Sequence, residues 1–260
     1  MLGKLMKYEL KATSRFFLPL FGAMIAISFV SRLFQIFDRI SALDLAAPRS
    51  MSIIIAWLLI IIIAIITLVI TIQRFNKNLL QNEGYLTLTL PVKTESVILS
   101  KLFVSSIWYF ASGIVITASI ILLSGVDISF TDIGNYFSNI FSSTSLTSGE
   151  TWLVIFELIV LALLSAFMPV LLIYTCLSLG MLVNNHRWLL SFGAFFVITT
   201  IMQLCASLTV TPLLWESVNY WSPFDLLQLL LLGATCVLLV HCTAFFFLTR
   251  YMLRYRLNLH

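Results

Sequence analysis

This sequence predicts an all-α protein that crosses a membrane six times, and three observations lead to that reading. Apolar residues make up 60% of the chain and charged residues 10%, whereas a soluble domain carries roughly a quarter charged residues. The apolar residues fall into six runs, each about the 20 residues needed to span a hydrocarbon core as a helix, or longer. Basic residues cluster between alternate runs instead of forming one solvated face. Together these features exclude a single water-soluble core, a disordered chain and a large catalytic domain outside the membrane. The formal charge of +4 does not indicate nucleic acid, because the basic residues do not form a surface that would follow phosphates.

The elements follow in order. Residues 2–15 are predicted to form an amphipathic helix lying in the membrane interface. Lys4, Lys7, Lys11 and Arg15 recur every three or four residues as one basic stripe, and Leu2, Leu5, Met6 and Leu10 occupy another face. Such a helix turns its lysines toward anionic headgroups and its leucines toward acyl chains. Two readings are open for it: a topology anchor only, or an anchor that also contacts a cytoplasmic partner. The first span, residues 17–37, is longer than a secretory signal core and reads as a retained span. Spans follow at 51–72, 97–123, 152–183, 188–208 and 226–248, and residues 1–260 are read as one transmembrane domain. The fourth run is 32 residues long, with Pro169 inside it. A proline removes one helical hydrogen bond there and predicts a kink.

Charge sets the orientation. Lys4, Lys7, Lys11, Arg15, Arg74, Lys77, Lys93, Lys101, Arg187, Arg250, Arg254 and Arg256 fall on one face, leaving only Arg32, Arg39 and Arg49 of the fifteen basic residues for the other. The positive face is the cytoplasmic one, so both termini lie inside. Cys176, Cys205, Cys236 and Cys242 all sit in apolar runs without CxxC spacing and read as small core residues.

The cytoplasmic stretch from Arg74 to Lys93 holds more than a connector needs. Residues 76–83 can form a short helix that Gly84 ends, Pro91 breaks the chain, and Thr94 can cap the next helix with Glu95 at its positive end. Asn76, Leu79, Leu80, Glu83, Gly84, Tyr85, Leu90 and Pro91 mark this segment, whose apolar side chains need a packing surface. That surface is either this protein's own helix ends or a separate cytoplasmic subunit.

The order of amphipathic helix, six spans and EGYLTLTLPVKTESVILSKL after the second span resembles permeases of ABC-2-type ABC transporters, in particular the small permease subunits of Gram-positive bacteria. SLGMLVNNHRWLLSFGAFF, residues 178–196, is similar to the turn between the fourth and fifth spans in that group. The resemblance covers the layout of nearly the whole chain and these two stretches at residue level. It implies an ATP-driven exporter in a bacterial plasma membrane. Segment 76–90 would be the coupling helix region that meets an ATP-binding subunit, with Glu83, Gly84 and Tyr85 at its centre. The N-terminal helix would lie beside that subunit, and residues 209–225 would form a re-entrant element. Partners would be a cytoplasmic ABC ATP-binding subunit, a second copy or paralogue of the permease, and membrane lipid. The chain has no GxxxxGKS or GxxxxGKT sequence to cradle phosphates, so ATP and magnesium belong to the partner. It is therefore read as a non-catalytic subunit without a cofactor or metal of its own. The 27-residue outer loop 124–150 departs from the family layout and serves either substrate handling or surface packing.

Polar residues inside the spans are costly and therefore informative. Arg32 lies about 8 Å from the outer edge of the first span, and Glu157 lies at a similar depth in the fourth. The two either pair toward the bundle interior or snorkel to the headgroups. Gln203, near the outer end of the fifth span, could join them. Two other functions compete with the permease: a self-sufficient secondary transporter built from 3+3 helix halves, and a non-transport membrane scaffold. The cargo most compatible with the apolar, aromatic outer surface is an amphiphile such as a peptide, drug, lipid or glycan.

Overall fold

The computed structural model describes residues 2–40, 46–77, 94–124, 148–183, 186–217 and 223–256. Side chains at 2, 39, 40, 46, 94, 148, 209–217, 223, 255 and 256 lie outside that description. The described residues are helical apart from short turns, and none is in a strand. Helices are α1 (Leu2–Ile40), α2 (Ala46–Phe75), α3 (Thr94–Ser124), α4 (Ser148–Gly180), α5 (Arg187–Ser217) and α6 (Pro223–Tyr251). Each contains a stretch long and apolar enough to cross a membrane, six in all. Lipid offers the backbone no hydrogen bonds, so such sequences satisfy theirs within each helix.

The chain divides into two compact units, Met1–Arg74 with Leu99–Ile133, and Phe75–Ile98 with Gly134–His260. In the first unit, Phe17, Phe21 and Met24 of α1 pack with Ala56 and Ile63 of α2 and with Val104 and Trp108 of α3. Phe17 stacks on Trp108 with centroids 4.5 Å apart. Polar contacts set the directions of these helices. Near the start of α1, Thr13 Oγ1 accepts from Trp108 Nε1 at 2.7 Å. Near its end, Gln35 Nε2 donates to the Leu123 carbonyl at 2.9 Å. α1 and α3 thus run parallel, and α2 returns between them in sequence.

In the second unit α4 packs against both α5 and α6. α4 and α6 run parallel, since Glu157 meets Gln228 near their starts while Thr175 meets Thr249 near their ends. Buried hydroxyls here and in the first unit fold back on their own helices: Ser28 to the Met24 carbonyl, Thr67 to Ile63 and Thr175 to Leu171, at 2.7–2.8 Å. Small polar side chains satisfied in this way let apolar helices approach closely. Large apolar residues such as Ile54, Trp57, Leu58, Ile61 and Ile65 face outward from α2, as lipid-facing positions would.

Three boundaries differ from expectation. Residues 2–15 are not set off as a separate element: α1 runs unbroken from Leu2 to Ile40, with Pro19 inside it. The physical reason is that one face of its first turns is packed. Met6 joins the first unit's core and Thr13 is bonded to Trp108, while Lys4, Lys7, Lys11 and Arg15 are exposed on the opposite face. α4 ends at Gly180 and not at 183, because Met181 and Leu182 already form the turn toward α5. The backbone of 209–217 continues α5, so the first half of the expected re-entrant element is an extension of the fifth helix.

Candidate functional site

The expected coupling residues Leu79, Leu80, Glu83, Gly84, Tyr85, Leu90 and Pro91 lie outside the described residues, as does residues 125–147 of the outer loop. Asn76 is described, half-buried where α2 continues into a π-type turn. The structure does show how both roots of segment 78–93 are held.

At the first root, neighbouring residues serve different units. Arg74, in the last turn of α2, places Nη1 3.3 Å from Glu9 Oε2. Phe75 is fully buried and stacks on Tyr174 of α4 at 4.1 Å, with ring planes 15° apart. At the second root, Glu95 in the first turn of α3 pairs with Arg250 Nη2 at 2.6 Å. Two turns on, Lys101 Nζ donates to Glu9 Oε1 at 2.6 Å. The chain passes between units at 74/75 and again at 98/99. Each root is therefore tied once within the first unit, through Glu9, and once within the second, through Tyr174 or Arg250.

Burial ranks these ties. The Lys101 side chain is 4% exposed, Glu9 16% and Arg74 30%. A lysine this buried needs its counter-charge, because an isolated ammonium is several kcal/mol unfavourable away from water. The Arg250–Glu95 pair is 33% and 42% exposed and, like most surface pairs, is worth about 1 kcal/mol or less. Glu9 is presented by a fixed backbone: Thr13 Oγ1 donates to the Glu9 carbonyl at 2.8 Å while accepting from Trp108. The cleft lined by Glu9, Thr71, Arg74, Lys101, Ser105 and Trp108 has room for about one water. This arrangement is a joint between helices and not a pocket for a small molecule.

Glu9 is the only acidic residue among the first 37, and it lies four residues before Thr13 and eight before Phe17 on one helical face. That spacing was the available signal for the joint. Lys101, counted in sequence only toward orientation, was its second half.

Of the intramembrane polar residues, Arg32 and Glu157 bond within their own units. Arg32 Nη1 donates to Gln35 Oε1 at 3.1 Å, one turn along α1. Glu157 Oε1 accepts from Gln228 Nε2 at 2.5 Å, while Glu157 Oε2 and Gln228 Oε1 are buried without a hydrogen-bond partner. Gln203 is exposed on α5. Replacing Gln228 with Leu should therefore lower stability by about 1–3 kcal/mol, because Glu157 loses its donor. The Glu157→Leu/Gln228→Leu double variant should recover much of that loss. Thermal unfolding in detergent reads both, and a double variant no more stable than Gln228→Leu would contradict the pairing.

His241 Nδ1 lies 2.7 Å from the Val237 carbonyl, and no group of three or more His, Cys, Asp or Glu side chains gathers among the described residues. Cys176 and Cys242 are buried, Cys205 and Cys236 exposed, and none of the four is in a disulfide. No protein-family model, curated protein or solved structure matches the chain.

Proposed function

We propose that this multi-pass membrane protein is the permease subunit of an ATP-driven exporter of the ABC-2 type. In this reading it sits in a bacterial plasma membrane with both termini in the cytoplasm, as the distribution of basic residues suggests. The observation that carries the reading is the double anchoring of segment 78–93. Within the stretch that resembles the permease family, residues 83–102, the root that follows the segment is held by Glu95 to Arg250 of α6 and by Lys101 to Glu9 of α1. A plain connector between two spans has no need of four anchors.

The mechanism follows from stiffness. A separate subunit binds ATP with magnesium, closes, and pushes on segment 78–93. The buried Lys101–Glu9 pair and a stacked aromatic pair at the roots pass that push into the long helices with little slack. Tilting of those helices, against a second copy or paralogue, would open a route for an amphiphilic cargo first to one side and then to the other. Uniform binding of the partner to both states would shift nothing, so the segment must fit the partner better in one of them.

Glu83→Ala and Tyr85→Ala should each lower transport per ATP hydrolysed by about tenfold while leaving expression intact. Vesicle transport and ATPase assays read this, and wild-type transport in both variants would remove the coupling role. One observation favours a second reading. The division into α1, α2 and most of α3 on one side and α4–α6 on the other is compatible with the 3+3 halves of a self-sufficient secondary transporter. Flux that persists without ATP and follows an ion gradient would select it.

A further inference from the structure

The geometry points to Glu9 as a positioning residue for coupling, one that holds both roots of segment 78–93 to α1 so that displacement of the segment reaches α1. This rests on the reading of 78–93 as the contact for an ATP-binding subunit.

Glu9 divides its two oxygens between the roots. Oε2 faces Arg74, before the segment, at 3.3 Å, and Oε1 faces Lys101, after it, at 2.6 Å. One carboxylate thus joins the last turn of α2 to the second turn of α3, with α1 as the common support. A lysine normally extends its stem along apolar surface and keeps its charge in water. Lys101 instead buries the charge, although replacing a buried ion pair by apolar residues of similar volume is often neutral for stability. A charged joint differs from an apolar one in being directional: it fixes which atoms meet and resists sliding along the helix axis. The Trp108–Thr13 bond at 2.7 Å and the Phe17–Trp108 stack at 4.5 Å fix the rotation of α1 against α3, so the helix face that carries Glu9 stays turned toward Arg74 and Lys101. Room for about one water in the cleft leaves little play.

The test must separate holding the fold from transmitting movement. The full chain with its ATP-binding partner is reconstituted in proteoliposomes as wild type, Glu9→Gln, Glu9→Gln/Lys101→Met and Arg74→Gln. The double variant removes both buried charges, so its Tm should return close to the wild-type value. Its transport per ATP hydrolysed should nevertheless stay about tenfold low. Arg74→Gln keeps the Lys101 pair, so its Tm should be unchanged and its coupling partly lost. Hydrogen exchange should show lower protection at 70–75 and 95–101 in the double variant. Transport that recovers together with Tm, or protection unchanged at both roots, overturns the proposal. Wild-type vesicles without ATP-dependent transport overturn the exporter reading instead, and the exchange measurement then still decides whether Glu9 holds the two roots.

Discussion

Glu9→Gln is expected to lower stability by about 3–5 kcal/mol. The substitution keeps size and shape but leaves Lys101, 4% exposed, without the carboxylate 2.6 Å away. At an effective dielectric of about 20, that contact alone is worth roughly 6 kcal/mol before desolvation is subtracted. Arg74 loses its partner as well, but at 30% exposure it can turn to water, and its share should be under about 1 kcal/mol. The expected order of Tm is therefore wild type near Arg74→Gln, Glu9→Gln/Lys101→Met slightly below or equal, and Glu9→Gln far below. Thermal unfolding of the purified chain measures it. Equal Tm for Glu9→Gln and Arg74→Gln would show that the buried lysine does not depend on Glu9.

Gly180→Ala is expected to cost about 2–3 kcal/mol, and Gly180→Val more. Gly180 ends α4 just before the turn into α5, and a Cβ there would overlap the Ser191 side chain and come within 2.7 Å of the Arg187 carbonyl oxygen. A side chain could yield. The carbonyl cannot, because it belongs to the first turn of α5 and accepts from Ser191 Oγ at 3.0 Å. Relief requires moving α5 off α4, which forfeits the close approach that small residues give helices in lipid. Gly113, Gly193 and Gly233 provide the contrast. A Cβ on any of them meets nothing within 4 Å, so alanine there should be neutral or stabilising by up to about 1 kcal/mol. Thermal unfolding of the four alanine variants checks the pattern, and a Gly180→Ala protein as stable as Gly193→Ala would show that the hairpin tolerates the extra atom.

The spans themselves were legible in sequence because hydropathy alone decides which segments become membrane-length helices, and Gly180 and Arg187 bracket the α4–α5 turn inside a stretch singled out by resemblance. What hydropathy does not contain is which helices are neighbours. That is why Glu157 was considered beside Arg32 and Gln203, whereas the structure places Gln228 of α6 against it. The same blindness hid Glu9. Beside a stripe of lysines it drew no reading of its own, and only the arrival of Lys101 and Arg74 from two other helices reveals it as a joint. The continuity of α1 was missed for a related reason. Polar residues in its first turns matched an interfacial helix, and the face carrying Met6, Glu9, Thr13 and Phe17 becomes intelligible only once α3 is beside it. The proposed coupling role of residues from Leu79 to Pro91 rests on sequence alone.

The central claim is that energy for transport enters through segment 78–93 from a separate ATP-binding chain. Purification of the intact protein from its native membrane, followed by identification of what is bound in stoichiometric amount, tests it most directly. The account predicts a chain carrying the GxxxxGKS or GxxxxGKT sequence, retained by the wild type and lost when residues 78–90 are replaced by a glycine–serine linker that leaves the helices folded. A purified protein that moves its cargo along an ion gradient with no ATP-binding chain attached would contradict it.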